Sequence, residues 1–176
     1  MRNIMLALLC VTALSACGNR AFKPTEYPLR DGLVPALSLA GPVTVTNAQT
    51  ATTPVVISSY AGNGLTASLN EITEVMVQQN QKEVVKNGHL TGNDAPKTIT
   101  LRVDSLQSKY IAFYFKSELA FEATLGDGEV IQQTVHHASG VLPQDLDGCI
   151  AESVMTLLKD ERVKNYLATS AAPHAR

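Results

Sequence analysis

Residues 112–139, AFYFKSELAFEATLGDGEVIQQTVHHAS, decide the fold of this chain. Most odd-numbered positions from 113 to 125 are apolar, whereas the charged residues lie at even positions. This alternation predicts a strand with one buried and one solvated face, because successive side chains of a strand point in opposite directions. A short glycine-containing segment then leads into residues 129–139, which alternate again, so the stretch predicts an antiparallel hairpin.

The length of the hairpin loop determines which side chains share a face. A two-residue loop would place polar residues of the second strand beside the apolar face. A three-residue loop, residues 126–128, places Ile131 opposite Ala123 and Val135 opposite Leu119, with the last glycine in the left-handed conformation. Because a slip of one residue would turn the apolar set to solvent, the three-residue loop is expected.

Further strand and helix signals flank the hairpin. Ser68 and Glu71 have the spacing of a capping box, and Asn87 and Gly88 form a helix-stop signal in which glycine takes the left-handed conformation. The further expected elements are strands at 43–47, from 55 and at 98–104, and helices at 68–86, 145–159 and 161–167. Together they predict an α+β fold, a two-layer sandwich with a mostly antiparallel sheet of about four to five strands and two main helices on one face.

The expected core consists of the apolar residues that these periodicities place on the inner faces. They are Leu69, Ile72, Met76, Ile99, Leu101, Val103, Phe113, Phe115, Leu119, Phe121, Ile131, Val135, Leu146, Ile150, Val154 and Leu157.

The first residues have the pattern of an export signal. Residues 1–3 carry one positive charge, and residues 4–14 form an apolar run interrupted only by Thr12. A membrane-spanning helix needs about 20 apolar residues, so the run fits the shorter central region of a secretory signal. It ends in Leu14-Ser15-Ala16-Cys17, which resembles the lipobox of bacterial lipoproteins, whose cysteine thiol takes the lipid.

The lipobox predicts a signal peptide at residues 1–16 and a mature chain anchored through Cys17. Several acyl chains on one cysteine give stable attachment, whereas a single chain binds only marginally. The next residue is Gly18 and not Asp, which favours the outer membrane, with the domain facing the periplasm.

Residues 17–42 contain four prolines and show no helical or strand periodicity, so they are predicted to form an extended tether. A single domain is expected at residues 43–168, followed by a disordered tail at residues 169–176.

Composition argues against several classes of function. The formal net charge is −2 and no basic run stands out, which argues against nucleic-acid binding. Trp is absent, which argues against a platform for stacking carbohydrate.

The three cysteines are expected to have separate fates. Cys10 leaves with the signal and Cys17 takes lipid, so Cys149 has no partner for an intramolecular disulfide. No cofactor and no metal are expected.

The order of these elements resembles that of the YajG-type lipoproteins, small proteins of the bacterial envelope. The resemblance covers about residues 69–167, and its best local points are residues 101–106, 110–115 and 160–167. It implies an envelope lipoprotein without known enzymatic activity and supplies no catalytic residues. The layout is also similar, at the level of fold alone, to LptE-like lipoproteins, which assist lipopolysaccharide assembly.

Few residues are candidates for chemistry. Cys149 lies on the apolar stripe of a predicted helix, where a free cysteine behaves as a small hydrophobe. His136 and His137 are adjacent on a strand and point to opposite faces, so they cannot share a metal ion. The predicted register places His137 on the core side near Ser117, which favours a hydrogen-bonded histidine.

Other polar motifs have structural explanations. Residues 62–64, Gly-Asn-Gly, form a turn and lack the Lys-Ser/Thr of a phosphate-binding loop. Asp145 and Asp147 are interpreted as the cap and first-turn charges of a helix. No serine with a partnered histidine and acid stands out, so the chain is not expected to be an enzyme.

The segment with the highest density of aromatic residues is the main binding candidate. Phe113 and Phe115 are predicted to enter the core, and Tyr110 and Tyr114 to lie together on the opposite face beside Lys116. An exposed tyrosine pair can anchor a protein partner, and the alternative is that the pair only covers the outer face of the sheet.

Two functions follow as expectations. The first is a non-enzymatic interaction or accessory module of an envelope complex, with the tyrosines or an edge strand as the contact. The second is a subunit that handles lipid or glycolipid. It predicts an apolar groove between helices and sheet, consistent with the polar residues Gln79, Asn80 and Glu83 that interrupt the apolar face of the first helix.

Overall fold

A computed structural model describes residues 18–170 of the chain. Its strands are β1 (Asn19–Ala21), β2 (Leu37–Leu39), β3 (Val43–Asn47), β4 (Val55–Tyr60), β5 (Asn63–Ala67), β6 (Gly88–Leu90), β7 (Lys97–Ile111), β8 (Tyr114–Leu125) and β9 (Val130–Ser139). Its helices are α1 (Leu69–Asn87), α2 (Leu142–Lys159) and α3 (Glu161–Ala168). The α+β class is therefore confirmed.

The main sheet has seven strands, more than the four to five expected. Its order is β1-β5-β4-β7-β8-β9, and β3 also pairs with β7. The long strand β7 has room for both neighbours on one edge, since β3 pairs in parallel with residues 97–101 and β4 pairs in parallel at Ser108. The sheet is mixed, although its two longest ladders, β7–β8 and β8–β9, are antiparallel. Strands β2 and β6 form a separate parallel pair.

The register of the β8–β9 hairpin agrees with the prediction. Ala123 lies opposite Ile131 and Leu119 lies opposite Val135. The Leu125 amide donates to the Glu129 carbonyl at 2.8 Å, which closes a three-residue loop, and Gly128 has a φ of +93°. The apolar pattern therefore sets the register of this ladder.

A bulge in β7 reverses the orientation of its side chains. The pairing with β8 shifts between Val103 and Ser105, so Leu106 and Ser108 face the helices after the bulge, as Val103 does before it. Strand β7 then continues to Ile111 and joins β8 through a two-residue loop, residues 112–113. The prediction of a strand beginning at 112 was wrong, because the aromatic run spans the end of one strand and the start of the next.

Both main helices pack on one face of the sheet and contact each other. Helix α1 begins at Ser68 with the predicted capping box. It ends at Gly88, whose backbone is extended (φ −83°), so the predicted left-handed stop was wrong and the chain enters β6 directly. A side chain at this glycine would collide with the Val84 carbonyl and with Leu39, so glycine is required by the close packing there.

The core agrees with the expected list apart from three residues. Phe113 is 90% exposed, while Phe115 and Leu69 are half-buried. Helix α2 begins three residues earlier than predicted, with Pro143 in its first turn, and α3 matches its prediction.

The predicted tether is wrong for the residues that the structure describes. Phe22, Val34, Leu37 and Leu39 are buried in the same hydrophobic core as the sheet and helices. Residues 22–36 contain three prolines and form no strand or helix, but their spaced apolar side chains still reach the core. The domain therefore begins at β1. Cys17 and residues 171–176 of the expected tail lie outside the described residues.

Candidate functional site

One end of the main sheet combines two chain reversals and the start of a strand. Strand β4 turns into β5 through residues 61–62, and β7 turns into β8 through residues 112–113. Because β4 runs parallel to β7, both turns lie at the same end. Strand β1 also begins there, since Asn19 lies opposite Gly64, two residues beyond the first turn.

This end, called here the aromatic end, carries six large apolar side chains. They are Tyr60, Tyr110, Ile111, Phe113, Tyr114 and Phe115. The turns beneath them are tight and left-handed at their first residue, with φ of +49° at Ala61 and +56° at Ala112. The favoured two-residue hairpin loops have a positive φ at their first residue. The loop geometry therefore accounts for the left-handed conformation of Ala61 and Ala112, although neither is glycine.

Three of the rings form a row on the helix-side face. The ring centroids of Tyr60 and Tyr110 are 4.5 Å apart, and those of Tyr110 and Phe115 are 5.2 Å apart, both pairs tilted. Such tilted contacts are favourable because the edge of one ring meets the face of the next. The row is partly exposed to solvent, since the Tyr60 side chain is 52% exposed and that of Tyr110 is 38% exposed.

The predicted tyrosine pair does not share a face. Tyr110 lies opposite Phe115 on the helix side, whereas Tyr114 lies opposite Ile111 on the other side of the sheet. The bulge after Val103 is the cause, because it shifts the alternation of β7 by one residue relative to β8. Both tyrosines are nevertheless at least 38% exposed, so both remain available at this end of the molecule.

Phe113 occupies the tip of the β7–β8 hairpin. Its side chain is 90% exposed, the largest exposure of any large hydrophobic residue in the described part of the chain. A shallow depression of about 290 Å³ lies nearby on the helix side, lined by Tyr60, Leu65, Phe115 and Leu142 among others. The aromatic end is therefore an apolar surface that no described segment covers.

The charges at this end are positive. The segments that meet there, residues 18–21, 55–63, 105–117 and 139–142, contain Arg20, Lys109 and Lys116 but no Asp or Glu. The first acidic residue beyond them is Glu118, which lines a depression with Lys109 and Lys116. Lys109 lies directly opposite Lys116 in the ladder, an arrangement of like charges that costs stability. The remainder of the chain is correspondingly acidic, since the whole carries a net charge of −2.

A buried polar cluster lies deeper in the domain. The predicted position of His137 beside Ser117 on the core side is confirmed, but the carboxylate that joins them was not predicted. The Asp145 side chain is fully buried, and one of its carboxylate oxygens accepts hydrogen bonds from Ser108 Oγ at 2.9 Å and from Ser117 Oγ. Its other oxygen is 3.2 Å from His137 Nδ1. Asp145 is therefore an interior acceptor. It lies in the first turn of α2, as one of the two predicted roles required, but it is not the cap, because the cap position is Val141.

Asp147, which is also largely buried, lies beyond the first turn of α2, so its interpretation as a cap or first-turn charge was wrong. It accepts hydrogen bonds from the backbone N–H and the hydroxyl of Thr25, at 3.0 and 2.8 Å. These bonds fasten the N-terminal segment to α2. No periodicity could have indicated them, because the partner lies far away in sequence.

The buried cluster is not arranged as a nucleophilic triad. Ser117 and His137 contact the same carboxylate, so the serine proton points to the acid and not to the histidine. Cys149 lies close by, and burial, with the negative charge of Asp145, raises the pKa of its thiol to about 12. The thiol is therefore protonated at neutral pH, in agreement with its interpretation as a small buried hydrophobe.

The histidines do not come together. His137 faces Asp145, while His136 lies on the opposite face with its Nδ1 3.6 Å from Glu118. His89 is exposed in β6, and His174 lies outside the described residues. Within residues 18–170, no group of three or more His, Cys, Asp or Glu residues is placed to hold a metal ion.

Residues 62–64 belong partly to the β4–β5 turn and partly to β5, as ordinary hairpin structure. In the described range, none of the helices is both long enough and apolar enough to cross a bilayer. No protein-family model matches the chain, and no curated protein has a significantly similar sequence.

Proposed function

We propose that this chain is a lipid-anchored lipoprotein of the bacterial envelope that acts as a non-enzymatic interaction module. The observation that carries the proposal is the lipobox, residues 14–17, which ends one residue before the first described residue, Gly18. A lipid on Cys17 would hold the folded domain directly against the membrane, because β1 begins at Asn19. The glycine after the lipobox supports the outer membrane, with the domain in the periplasm.

The free edge of β9 is the proposed contact with an envelope protein. Strand β9 is at one end of the sheet order and pairs with β8 without a bulge over its whole length, Val130–Ser139. It contains no Pro, Lys, Arg, Asp or Glu, the residues that usually protect an edge from pairing. An added strand from a partner would complete its outward-facing hydrogen bonds.

The polar residues of α1 that suggested the alternative, lipid or glycolipid handling, are mostly buried under the N-terminal segment. Gln79, Asn80 and Glu83 are buried, and the Gln79 amide donates to the Tyr27 carbonyl at 2.6 Å. Gln79 and Glu83 also line an open depression of about 420 Å³ between α1 and the N-terminal segment. Four of its eight lining residues are charged, which does not match the apolar groove between helices and sheet that lipid handling predicts.

The anchor is tested by mass spectrometry of the protein purified from membranes. The expected product begins at Cys17 and carries the mass of its acyl chains. The matched control, Cys17→Ser, should keep its signal peptide or leave the membrane fraction. An unmodified Cys17 in an otherwise processed protein would contradict the proposal.

The partner contact is tested by crosslinking in cells with variants of Thr134. In an edge strand, the backbone groups of alternate residues point away from the sheet. The hydrogen bond from the Leu125 N–H to the Glu129 carbonyl shows that residue 129 points toward β8, so the even-numbered residues of β9, including Thr134, point outward. Thr134→Pro therefore removes an outward N–H and keeps the bonds to β8, whereas Thr134→Val keeps the N–H. Loss of the crosslinked partner with proline only is expected, and equal recovery with both variants would contradict pairing at this edge.

A further inference from the structure

We propose that the aromatic end inserts into the surface of the phospholipid bilayer to which the chain is anchored. The inference rests on the proposed lipid attachment at Cys17. It assigns the apolar tip to the bilayer and leaves the β9 edge for protein contacts.

The path of the chain places the anchor beside the aromatic end. Asn19 lies opposite Gly64, next to the turn that follows Tyr60. Cys17 precedes Asn19 by two residues, which reach at most about 7 Å. A lipid on Cys17 must enter the bilayer, so this end of the sheet is brought to the membrane surface.

The side chains at this end suit the boundary between headgroups and acyl chains. Phe113 projects from the tip, with Ile111 and Tyr114 on one face of the sheet and Tyr60 and Tyr110 on the other. Tyrosine is enriched at membrane interfaces, because its ring enters the apolar region while its hydroxyl stays among the headgroups. An exposed apolar tip with this composition is unfavourable in water and favourable at that depth.

The local charge is complementary to anionic headgroups. Arg20, Lys109 and Lys116 lie around the tip, and the first acidic residue, Glu118, is farther from the tip along β8 in a depression that it shares with both lysines. Basic residues within a Debye length of an anionic leaflet attract the domain to it. The like-charge opposition of Lys109 and Lys116 would be relieved by a phosphate between them.

The absence of Trp from the chain allows a direct test of depth. Phe113→Trp places a single fluorophore at the tip, and high exposure makes the change tolerable. Val85→Trp is the matched control, since Val85 is 72% exposed. It lies toward the opposite end, because α1 runs past Gln81, which hydrogen-bonds Val45 beside the start of β7.

Each full-length lipoprotein variant is reconstituted into vesicles of phosphatidylethanolamine and phosphatidylglycerol that carry bromine on their acyl chains. Tryptophan emission from the Phe113→Trp variant should shift to the blue, since interfacial side chains lie about 5–10 Å deep. Bromine should quench it at least about twofold more than the emission from the Val85→Trp variant, because quenching requires close approach to the acyl chains. Removal of phosphatidylglycerol should weaken quenching of the tryptophan at the tip. In vesicles that contain phosphatidylglycerol, the double substitution Lys109→Glu and Lys116→Glu should weaken this quenching by more than removal of the lipid does.

The two proposals fail in different ways. A protein that does not float with the vesicles has lost its anchor, which counts against the lipoprotein proposal. A protein that floats while the tryptophans of the two variants are quenched equally overturns the insertion of the aromatic end. A photo-crosslinker at position 113 that captures a protein and no lipid in cells also overturns it, and would assign this surface to a protein partner.

Discussion

Replacement of Asp145 tests whether the buried polar cluster stabilises the domain. The carboxylate accepts hydrogen bonds from Ser108 and Ser117, whose side chains are nearly or fully buried, and faces His137. Asp145→Ala leaves both serine hydroxyls without an acceptor in the core.

The magnitude follows from those two hydroxyls. Each buried polar group left without a partner costs about 1–3 kcal/mol, and relief of the buried charge offsets part of the loss. We therefore expect Asp145→Ala to lower the free energy of unfolding by about 2–4 kcal/mol. Asp145→Asn keeps the volume and one acceptor oxygen, so it should cost about 1–2 kcal/mol. The partly exposed contact with His137 adds little, because solvent screens it.

The assay is urea unfolding of residues 18–176, followed by circular dichroism. Glu161→Ala is the control, since its side chain is 76% exposed and its loss should change stability by less than about 0.5 kcal/mol. If Asp145→Ala were as stable as the control variant, with an unchanged dependence on urea, the cluster would not stabilise the fold as argued.

Three further outcomes are expected. Gly88→Ala should destabilise by about 1–3 kcal/mol in urea unfolding, because its Cβ meets the Val84 carbonyl, whereas Gly140→Ala, with open space around it, should be neutral; equal stability of the two would contradict the packing argument. Ala61→Asn should raise the unfolding free energy by about 0.5–1 kcal/mol, since asparagine tolerates the left-handed φ that precedes Gly62; no change in the urea midpoint would argue against that turn. Cys149 should react with iodoacetamide only as fast as the protein unfolds. Rapid alkylation of the native protein at neutral pH would contradict the burial of Cys149. Because burial raises the pKa of the thiol, its contribution to the free energy of unfolding is complete below the thiol pKa of the unfolded chain and declines as pH rises toward 12.

Local signals in the sequence were sufficient for several elements. The capping box at Ser68, the three-residue loop before β9 and the start of α3 all depend on residues close together in the chain. Such contacts can be predicted because backbone geometry alone decides them. The β7 bulge has no comparable signal, and it moved Tyr110 and Tyr114 to different faces.

The hairpin register predicted His137 beside Ser117, but neither the role of Asp145 nor the burial of the N-terminal segment could be predicted in the same way. Asp145 lies in the first turn of α2, as predicted, but its hydrogen-bond partners come from β7, β8 and β9. The prolines between residues 22 and 42 suggested an extended tether. Burial of Phe22 and Leu37 depends on a core assembled from distant elements, which periodicity cannot report.

The sequence by itself determined the α+β class, the existence and order of the three helices and the hairpin register, because each depends on periodicity or short spacing. Tertiary structure alone decided how many strands join the sheet, what Asp145 bonds, and that the aromatic side chains meet beside β1. Those features arise where segments far apart in the chain approach each other, and the free energy of such contacts is set by the whole packed domain.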